Sequence, residues 1–137
     1  MVMRYMLDTN ICIHLMQGQP AHVGEKFATL RQSDVVMSAI TYAELRAGVE
    51  RRASQREQLT KSLALLTESI PVLPFDQSAG VKYGELFAVS PERRKNSLDR
   101  LIASHALSRA LVLVTNNESD FRHYPGLQLE NWVANPH

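Results

Sequence analysis

Residues 1–10 read MVMRYMLDTN, and within them a short apolar run stops at an acid. Tyr5–Leu7 has the length and composition of a buried strand. Asp8 follows directly, and apolar residues at helical spacing begin at Ile11. Asp8 is therefore expected where a strand ends and a helix begins, which is the edge where open α/β sheets bind ligands. The same position also suits an ordinary helix cap, because an Asp side chain accepts hydrogen bonds from free backbone N–H groups.

The composition predicts a single globular domain over residues 1–137. Hydrophobic residues make up 45% of the chain and charged residues 21%, which is typical of a folded protein and unlike a disordered one. Fifteen Lys and Arg residues face fourteen Asp and Glu residues, so the formal net charge is only +1. The overall charge therefore gives no argument for nucleic-acid binding, and any such argument must come from local clusters.

The chain has no sequence signal for a membrane or for disulfide bonding. Its longest uninterrupted apolar run, Ala110–Val114, is far shorter than the about 20 residues that span a bilayer. Asp8 breaks the apolar N-terminus before a signal-like core can form. The single cysteine, Cys12, lies in the apolar stripe of the first helix, where it is expected to be a small buried hydrophobe. We expect a cytoplasmic protein from a reducing compartment.

Strand and helix patterns alternate along the whole sequence. Apolar and β-branched runs predict further strands at 35–38, 70–73 and 111–114, and an edge strand within 127–132 whose Trp132 packs on the body. Helical spacing fills the intervals, at about 11–16, 21–30, 41–52, 59–66, 76–87 and 100–109. This order predicts an α/β fold with a central parallel sheet between helical layers. Right-handed crossovers then place the carboxyl ends of the strands at one edge.

Three local patterns have a structural interpretation. Thr41 with Glu44 three residues later fits a capping box, in which Glu44 would serve only the helix start. Asp76 is expected to cap the helix that follows it. His105 has apolar neighbours and is expected to be a hydrogen-bonded core residue rather than a ligand.

Four acids can meet at the carboxyl edge of the predicted sheet: Asp8, Glu44, Asp99 and Asp120. Two unit charges about 4 Å apart repel by roughly 4 kcal/mol at an effective dielectric of 20, so such a cluster needs a cation. Oxygen ligands without a Cys/His cluster favour Mg²⁺, with Mn²⁺ as the alternative. The predicted chemistry is metal-assisted hydrolysis of a phosphodiester. A cationic patch at Arg93, Arg94 and Lys95 precedes Asp99, and it fits either contacts with flanking phosphates or a solvated surface loop.

Four sequence blocks, in this order, resemble the PIN-domain ribonucleases, and more closely the VapC toxins of bacterial toxin–antitoxin modules. The blocks are Met6–Asn10 (MLDTN), Ser38–Leu45 (SAITYAEL), Asp99–Leu107 (DRLIASHAL) and Val114–Phe121 (VTNNESDF). The resemblance implies a three-layer α/β/α fold, a Mg²⁺-dependent endoribonuclease that arrests growth by cutting RNA, in several members a tRNA, and a homodimer. It also implies a VapB-type antitoxin, which occupies the active site and alone contacts the operator DNA.

The resemblance also implies a role for individual residues. Asp8, Glu44 and Asp99 match the three main acids of the family, and Asp120 matches a fourth, less regular one. Four further residues are implied as support for the site: Thr9, Asn10, Thr115, whose hydroxyl helps fix the site or its water, and Asn117, which stands where some relatives carry an acid. Many relatives have a Gly-Pro-Ile-Gly-like stretch before the third acid, whereas this chain has Arg94–Leu98 (RKNSL). We expect this difference to alter RNA selection rather than remove catalysis.

Two other functions fit parts of the pattern. Phosphoaspartyl phosphatases also carry an acid after the first strand, but they usually have a second Asp two residues later, where this chain has Asn10. A non-catalytic PIN-like module that binds RNA or a protein is the second alternative. The presence of all four acids argues against it, because loss of one acid is the simplest route to an inactive module.

Overall fold

The computed structural model describes residues 3–90 and 97–134. The strands are β1 (Tyr5–Leu7), β2 (Val35–Ser38), β3 (Val72–Leu73), β4 (Val112–Val114) and β5 (Leu129–Glu130). The helices of the described residues are α1 (Thr9–Gln17), α2 (Ala21–Ala28), α3 (Ala39–Arg51), α4 (Arg56–Ser69), α5 (Gln77–Val89) and α6 (Ser97–Ser108). The alternation of strands and helices predicted from the sequence is confirmed.

The five strands form one parallel sheet in the order β3-β2-β1-β4-β5. The central strand is β1, and its first residue, Tyr5, pairs with Val35 of β2 and Val112 of β4. All three residues of β1 are buried, as expected for a strand covered by helices on both faces. The parallel sheet therefore places Asp8, the residue after β1, at the middle of its carboxyl edge.

Alternation of side chains along the strands creates two separate cores. On one face, Tyr5 and Leu7 pack with residues from the first four helices; this core contains Ile11, Cys12, Val23, Leu45, Val49, Leu63 and Trp132 among others. On the other face, Met6 packs with residues from α5 and α6; this core contains Val36, Leu86, Ile102, Ala103, Ala106 and Leu113 among others. The two cores on opposite faces of one sheet confirm the predicted three-layer α/β/α architecture.

The C-terminal part of the described chain packs on the body through Trp132. The indole is only 2% exposed and meets the Tyr5 ring edge-on, with the ring centroids 5.6 Å apart. Its Nε1 donates a hydrogen bond to Glu130 Oε1 at 3.0 Å. The predicted edge strand is reduced to Leu129–Glu130, and the predicted packing of Trp132 is confirmed.

Side-chain caps begin three of the helices. Asp8 Oδ1 accepts a hydrogen bond from the Ile11 N–H at 3.0 Å, so Asp8 does cap α1. Asp76 Oδ1 accepts from the Ala79 N–H at 3.0 Å, which confirms the predicted cap of α5. The predicted cap of α3 by Thr41 is wrong. The cap is Ser38, whose backbone is still extended and whose Oγ accepts from the Ile40 N–H at 3.0 Å.

Two residues predicted to be buried are confirmed in the core. His105 is fully buried, and its Nδ1 lies 2.7 Å from Ser38 Oγ. Burial lowers the pKa of His105; the charge of Asp76 raises it and that of Arg109 lowers it further. Cys12 is also fully buried, and burial raises the pKa of its thiol, with a smaller contribution from the charge of Asp8. The thiol is therefore protonated and unreactive at neutral pH.

Within the parts of the chain that the structure describes, no helix has the length and apolar character needed to cross a membrane.

The corrected start of α3 can be tested with two substitutions. Ser38→Ala removes the cap and the partner of His105 Nδ1, so we expect the free energy of unfolding to fall by roughly 2–3 kcal/mol. Thr41→Val should be neutral or stabilising, because the Thr41 hydroxyl is buried and has no hydrogen-bond partner within the described residues. Urea unfolding of both variants measures the difference. If Thr41→Val destabilises the protein as much as Ser38→Ala, Ser38 is not the residue that caps α3.

Candidate active site

Three sequence-distant acids meet at the carboxyl edge of the sheet. Asp8 follows β1, and its N–H donates to the Val114 carbonyl at the end of β4 at 3.0 Å. Glu44 comes from α3, which follows β2, and Asp99 comes from the first turn of α6. All three line one cavity of about 120 Å³, together with Thr9, Asn10, Ile102, Asn117 and Phe121. The volume is enough for several water molecules or a hydrated ion.

Asp8 is the most buried of these acids, with 4% of its surface exposed. Burial raises the pKa of its carboxyl group above the ordinary value. Hydrogen bonds from the Thr115 hydroxyl and the Ile11 N–H lower the pKa, whereas the nearby charge of Glu44 raises it again and that of His14 lowers it slightly. The carboxylate is therefore held rigidly in a place where its negative charge is poorly solvated.

A short hydrogen bond orients Glu44. The Thr9 hydroxyl donates to Glu44 Oε1 at 2.6 Å and so connects the first turn of α1 to the second turn of α3. Because Thr9 is bonded to Asp8 in the chain, this contact also fixes the separation of the two acids. Thr9 thus has the position expected of a residue that supports the site.

The turn after β4 supplies the remaining polar groups. Thr115 is fully buried, its N–H donates to the Glu130 carbonyl at 2.9 Å, and its Oγ1 accepts from the Asn117 N–H at 3.0 Å. Asn117 lines the cavity, whereas Thr115 does not line it and donates a hydrogen bond to the Asp8 carboxylate. One hydroxyl therefore serves both the central acid and the turn that carries Asn117.

The remaining predicted residues are Asp120 and the cationic patch that precedes Asp99. Asp120 is exposed in a 3₁₀ turn, Glu118–Asp120, and does not line the cavity. The cationic patch of Arg93, Arg94 and Lys95 lies outside the described residues.

The cavity is also lined by two apolar residues, Ile102 and Phe121, which were not predicted as site residues from the sequence. Ile102 lies three positions after Asp99 on α6, so helical spacing could have placed it beside that acid. Phe121 follows the 3₁₀ turn, and no local pattern indicates which way its side chain faces. Both are buried to 2% exposure, and they give the polar cavity an apolar wall.

The donor set fits a hard divalent cation that keeps several of its waters. Glu44 is close enough for its charge to raise the pKa of Asp8, and Asp99 lines the same cavity. Among residues 3–90 and 97–134, no three Asp, Glu, His or Cys side chains approach closely enough to hold an ion directly. Mg²⁺ usually takes one or two protein carboxylates and fills its other positions with water and phosphate oxygens. The arrangement is therefore compatible with Mg²⁺ or Mn²⁺ and unlike a closed structural metal site.

Comparison with known proteins identifies the family. The sequence profile of the PIN domain matches residues 5–127, which include all of the acids discussed above. The tRNA(fMet)-specific endonuclease VapC of Salmonella typhimurium is 34% identical over 133 residues, 96% of this chain and 99% of that protein. Ribonuclease VapC1 of Haemophilus influenzae is 38% identical over 134 residues, with coverage of 96% and 99%. The chain belongs to the VapC group of PIN-domain ribonucleases.

Solved structures of VapBC complexes share the fold of this PIN domain. The chain matches VapBC from Salmonella typhimurium, solved bound to DNA, with a TM-score of 0.85 and 35% identity over 96% of this chain and 99% of that one. It matches VapBC2 from Rickettsia felis, solved with a fragment of promoter DNA, with a TM-score of 0.84 and 34% identity over 95% and 99%. The resemblance noted in the sequence is therefore confirmed for both family and fold.

The raised pKa of Asp8 predicts that this PIN domain is more stable without its central charge. A carboxyl whose pKa is raised on folding favours the folded state below that pKa, and this contribution is lost as the pH rises through it. Asp8→Asn keeps an acceptor for the Ile11 N–H, and because Asn does not ionise, it does not lose stability as the pH rises. We therefore expect Asp8→Asn to be more stable than the wild type at neutral pH, on the order of 1 kcal/mol or a few degrees in Tm.

Thermal unfolding in EDTA between pH 4 and pH 8 tests this prediction. The stability difference between Asp8→Asn and the wild type should grow with pH and nearly vanish in acid. Addition of Mg²⁺ should raise the Tm of the wild type and leave that of Asp8→Asn unchanged. An Asp8→Asn variant that is less stable than the wild type at pH 8 in EDTA would contradict the argument.

Proposed function

We propose that this ribonuclease hydrolyses RNA phosphodiester bonds inside the strand, with a partly hydrated divalent cation in the cavity that Asp8, Glu44 and Asp99 line, and that it acts as the toxin of a toxin–antitoxin pair. The observation that supports this most strongly is the convergence of three acids from separate elements on one cavity around a buried carboxylate. Such a cavity is electrostatically unfavourable until a cation enters it. We propose Mg²⁺ as the cation, with Mn²⁺ as a substitute.

Each residue has a defined part in this mechanism. The bound cation supplies Lewis-acid stabilisation of the phosphate and lowers the pKa of a water molecule. Asp8 is held by the Ile11 N–H and the Thr115 hydroxyl, and Glu44 by Thr9, so neither carboxylate needs to reorganise during the reaction.

The remaining polar residues at the cavity complete the cation site or contact the substrate. Asp99 enters from the opposite helical layer and completes the acidic lining. Asn10 and Asn117 present side-chain amides, which can donate hydrogen bonds to phosphate oxygens.

Two further groups complete the proposal. Asp120, which is exposed and outside the cavity, is assigned a minor role as the fourth acid. Arg93, Arg94 and Lys95 are assigned contacts with the phosphates that flank the cleaved bond, because the formal net charge of the chain, +1, provides little general attraction for RNA.

The relatives support a proposal for substrate and partners. Because one relative is named a tRNA(fMet)-specific endonuclease, we propose a structured RNA such as a tRNA as the target. Because the two solved relatives described above are VapBC complexes bound to DNA, we propose a VapB-type antitoxin that blocks the cavity and carries the contact with operator DNA. We further propose a homodimer that forms a larger assembly with the antitoxin, in the cytoplasm.

Cleavage assays on purified protein and tRNA test the catalytic proposal. Asp8→Asn and Asp99→Asn should lower the rate by roughly 100-fold or more, because each removes a charge from the cation site. Glu44→Gln should have a smaller effect, and Asp120→Asn the smallest. Thr9→Val, which keeps the volume and removes the bond to Glu44, should cost about 10-fold. Full activity of Asp8→Asn or Asp99→Asn would exclude that residue from the site.

The metal requirement is tested in the same assay. Cleavage should stop in EDTA and return with Mg²⁺ or Mn²⁺. RNA binding without cleavage, unaffected by Asp99→Asn, would instead favour the non-catalytic module. Formation of a beryllium fluoride adduct at Asp8 would favour the phosphoaspartyl alternative.

A further inference from the structure

Arg100, the residue after Asp99, is buried in an unusual place for a charged side chain. It is 2% exposed, although arginine is mostly exposed in folded proteins. It lies in the first turns of α6, directly beside the acid that this helix brings to the cavity. A buried guanidinium needs partners for its charge and its N–H groups, and among the described residues α5 and Ser90, the residue that follows it, supply some of them.

The side chain of Arg100 binds one face of α5. Its Nη1 donates to the Ser90 carbonyl at 3.3 Å, and its Nη2 donates to the Tyr83 hydroxyl at 3.4 Å. The guanidinium carbon lies 5.2 Å from the centre of the Tyr83 ring and 4.8 Å from that of Phe87, which is within the range of cation–π contacts. Tyr83 and Phe87 lie four residues apart on one face of α5, and Ser90 is the residue after its last turn, so Arg100 contacts the C-terminal end of this helix.

The backbone of Arg100 is tied to α6 at the same time. Its carbonyl accepts a hydrogen bond from the Ser104 hydroxyl at 2.6 Å, inside the buried part of the helix. Consecutive residues of a helix point about 100° apart, since one turn takes 3.6 residues. With Arg100 anchored on α5, Asp99 and Ile102 face the cavity. Rotation of α6 about its axis would break the contacts of Arg100 and turn Asp99 away together.

We propose that Arg100 is a positioning residue that fixes the rotation of the start of α6 and thereby holds Asp99 at the cation site. The inference rests on the proposed function of Asp99. Among the described residues, Arg100 contacts α5 and Ser90 and does not line the cavity, so its proposed effect on the site is exerted through the position of Asp99, its neighbour in the chain.

Binding of Mn²⁺ alone, measured by titration calorimetry on the full chain, tests the proposal. Arg100→Met keeps the length and apolar stem of the side chain and removes the charge and the N–H donors. We expect it to weaken Mn²⁺ binding about 10-fold, the usual effect of losing a supporting residue. Arg100→Lys keeps the charge without the planar fork and should recover part of the affinity. Leu63→Ala, in the core on the opposite face of the sheet, is the control for lost stability and should bind Mn²⁺ like the wild type.

The Asp99→Asn background separates positioning from a general structural effect. If Arg100 acts through Asp99, Arg100→Met should cause no further loss of Mn²⁺ affinity once Asp99 is neutral. Hydrogen exchange should also rise at the start of α6 in Arg100→Met and remain unchanged in α1 and α3.

Three results would overturn the proposal. One is wild-type Mn²⁺ affinity in Arg100→Met, which would leave the proposed function intact. Another is a loss of Mn²⁺ affinity on Arg100→Met that is as large in the Asp99→Asn background as in the wild type. The third is a wild-type protein that binds no Mn²⁺, which would overturn the proposed cation site as well.

Discussion

The burial of a carboxylate at the end of the central strand is the constraint on which this structure depends. Asp8 can occupy that position because the Ile11 N–H and the Thr115 hydroxyl both donate to it, one from the helix that follows and one from the end of β4. The two donors offset only part of the cost of burial, since the pKa of Asp8 remains raised. The fold thus maintains a charge that it does not fully solvate, and binding of a cation would complete the environment.

The other acids reach Asp8 from opposite sides of the sheet, and each has its own support. Glu44 belongs to the layer of α3 and is oriented by Thr9. Asp99 belongs to the layer of α6, where its neighbour Arg100 is anchored on α5. Like charges at short range would otherwise move apart, so these attachments explain how the acids remain at one cavity. The site is built from contacts made outside the cavity as much as from the groups that line it.

Structural features that depend on only a few neighbouring residues could be predicted from the sequence. Buried strands, the cap at Asp76 and the burial of Trp132 and His105 follow from patterns a few residues long, and the family blocks identified the acids. The helix start at Thr41 was predicted wrongly because its spacing to Glu44 fits a capping box, whereas Ser38 caps the helix directly from the end of β2. The contact of Arg100 with α5 and the direction of the Phe121 side chain could not be predicted, because both depend on how separate helices and turns pack together.

The Ser38 hydroxyl connects the two helices that flank the cavity. Its oxygen caps α3 on one side of the sheet and meets the ring of His105, on α6, on the other, at 2.7 Å. A single atom therefore acts as a spacer between the two helices that bear Glu44 and Asp99. With the width of the cleft set at this point, the outer loops can diverge in length and sequence, as surface loops usually do. Changes in the surface loops of this protein would therefore leave the gap between Glu44 and Asp99 unchanged.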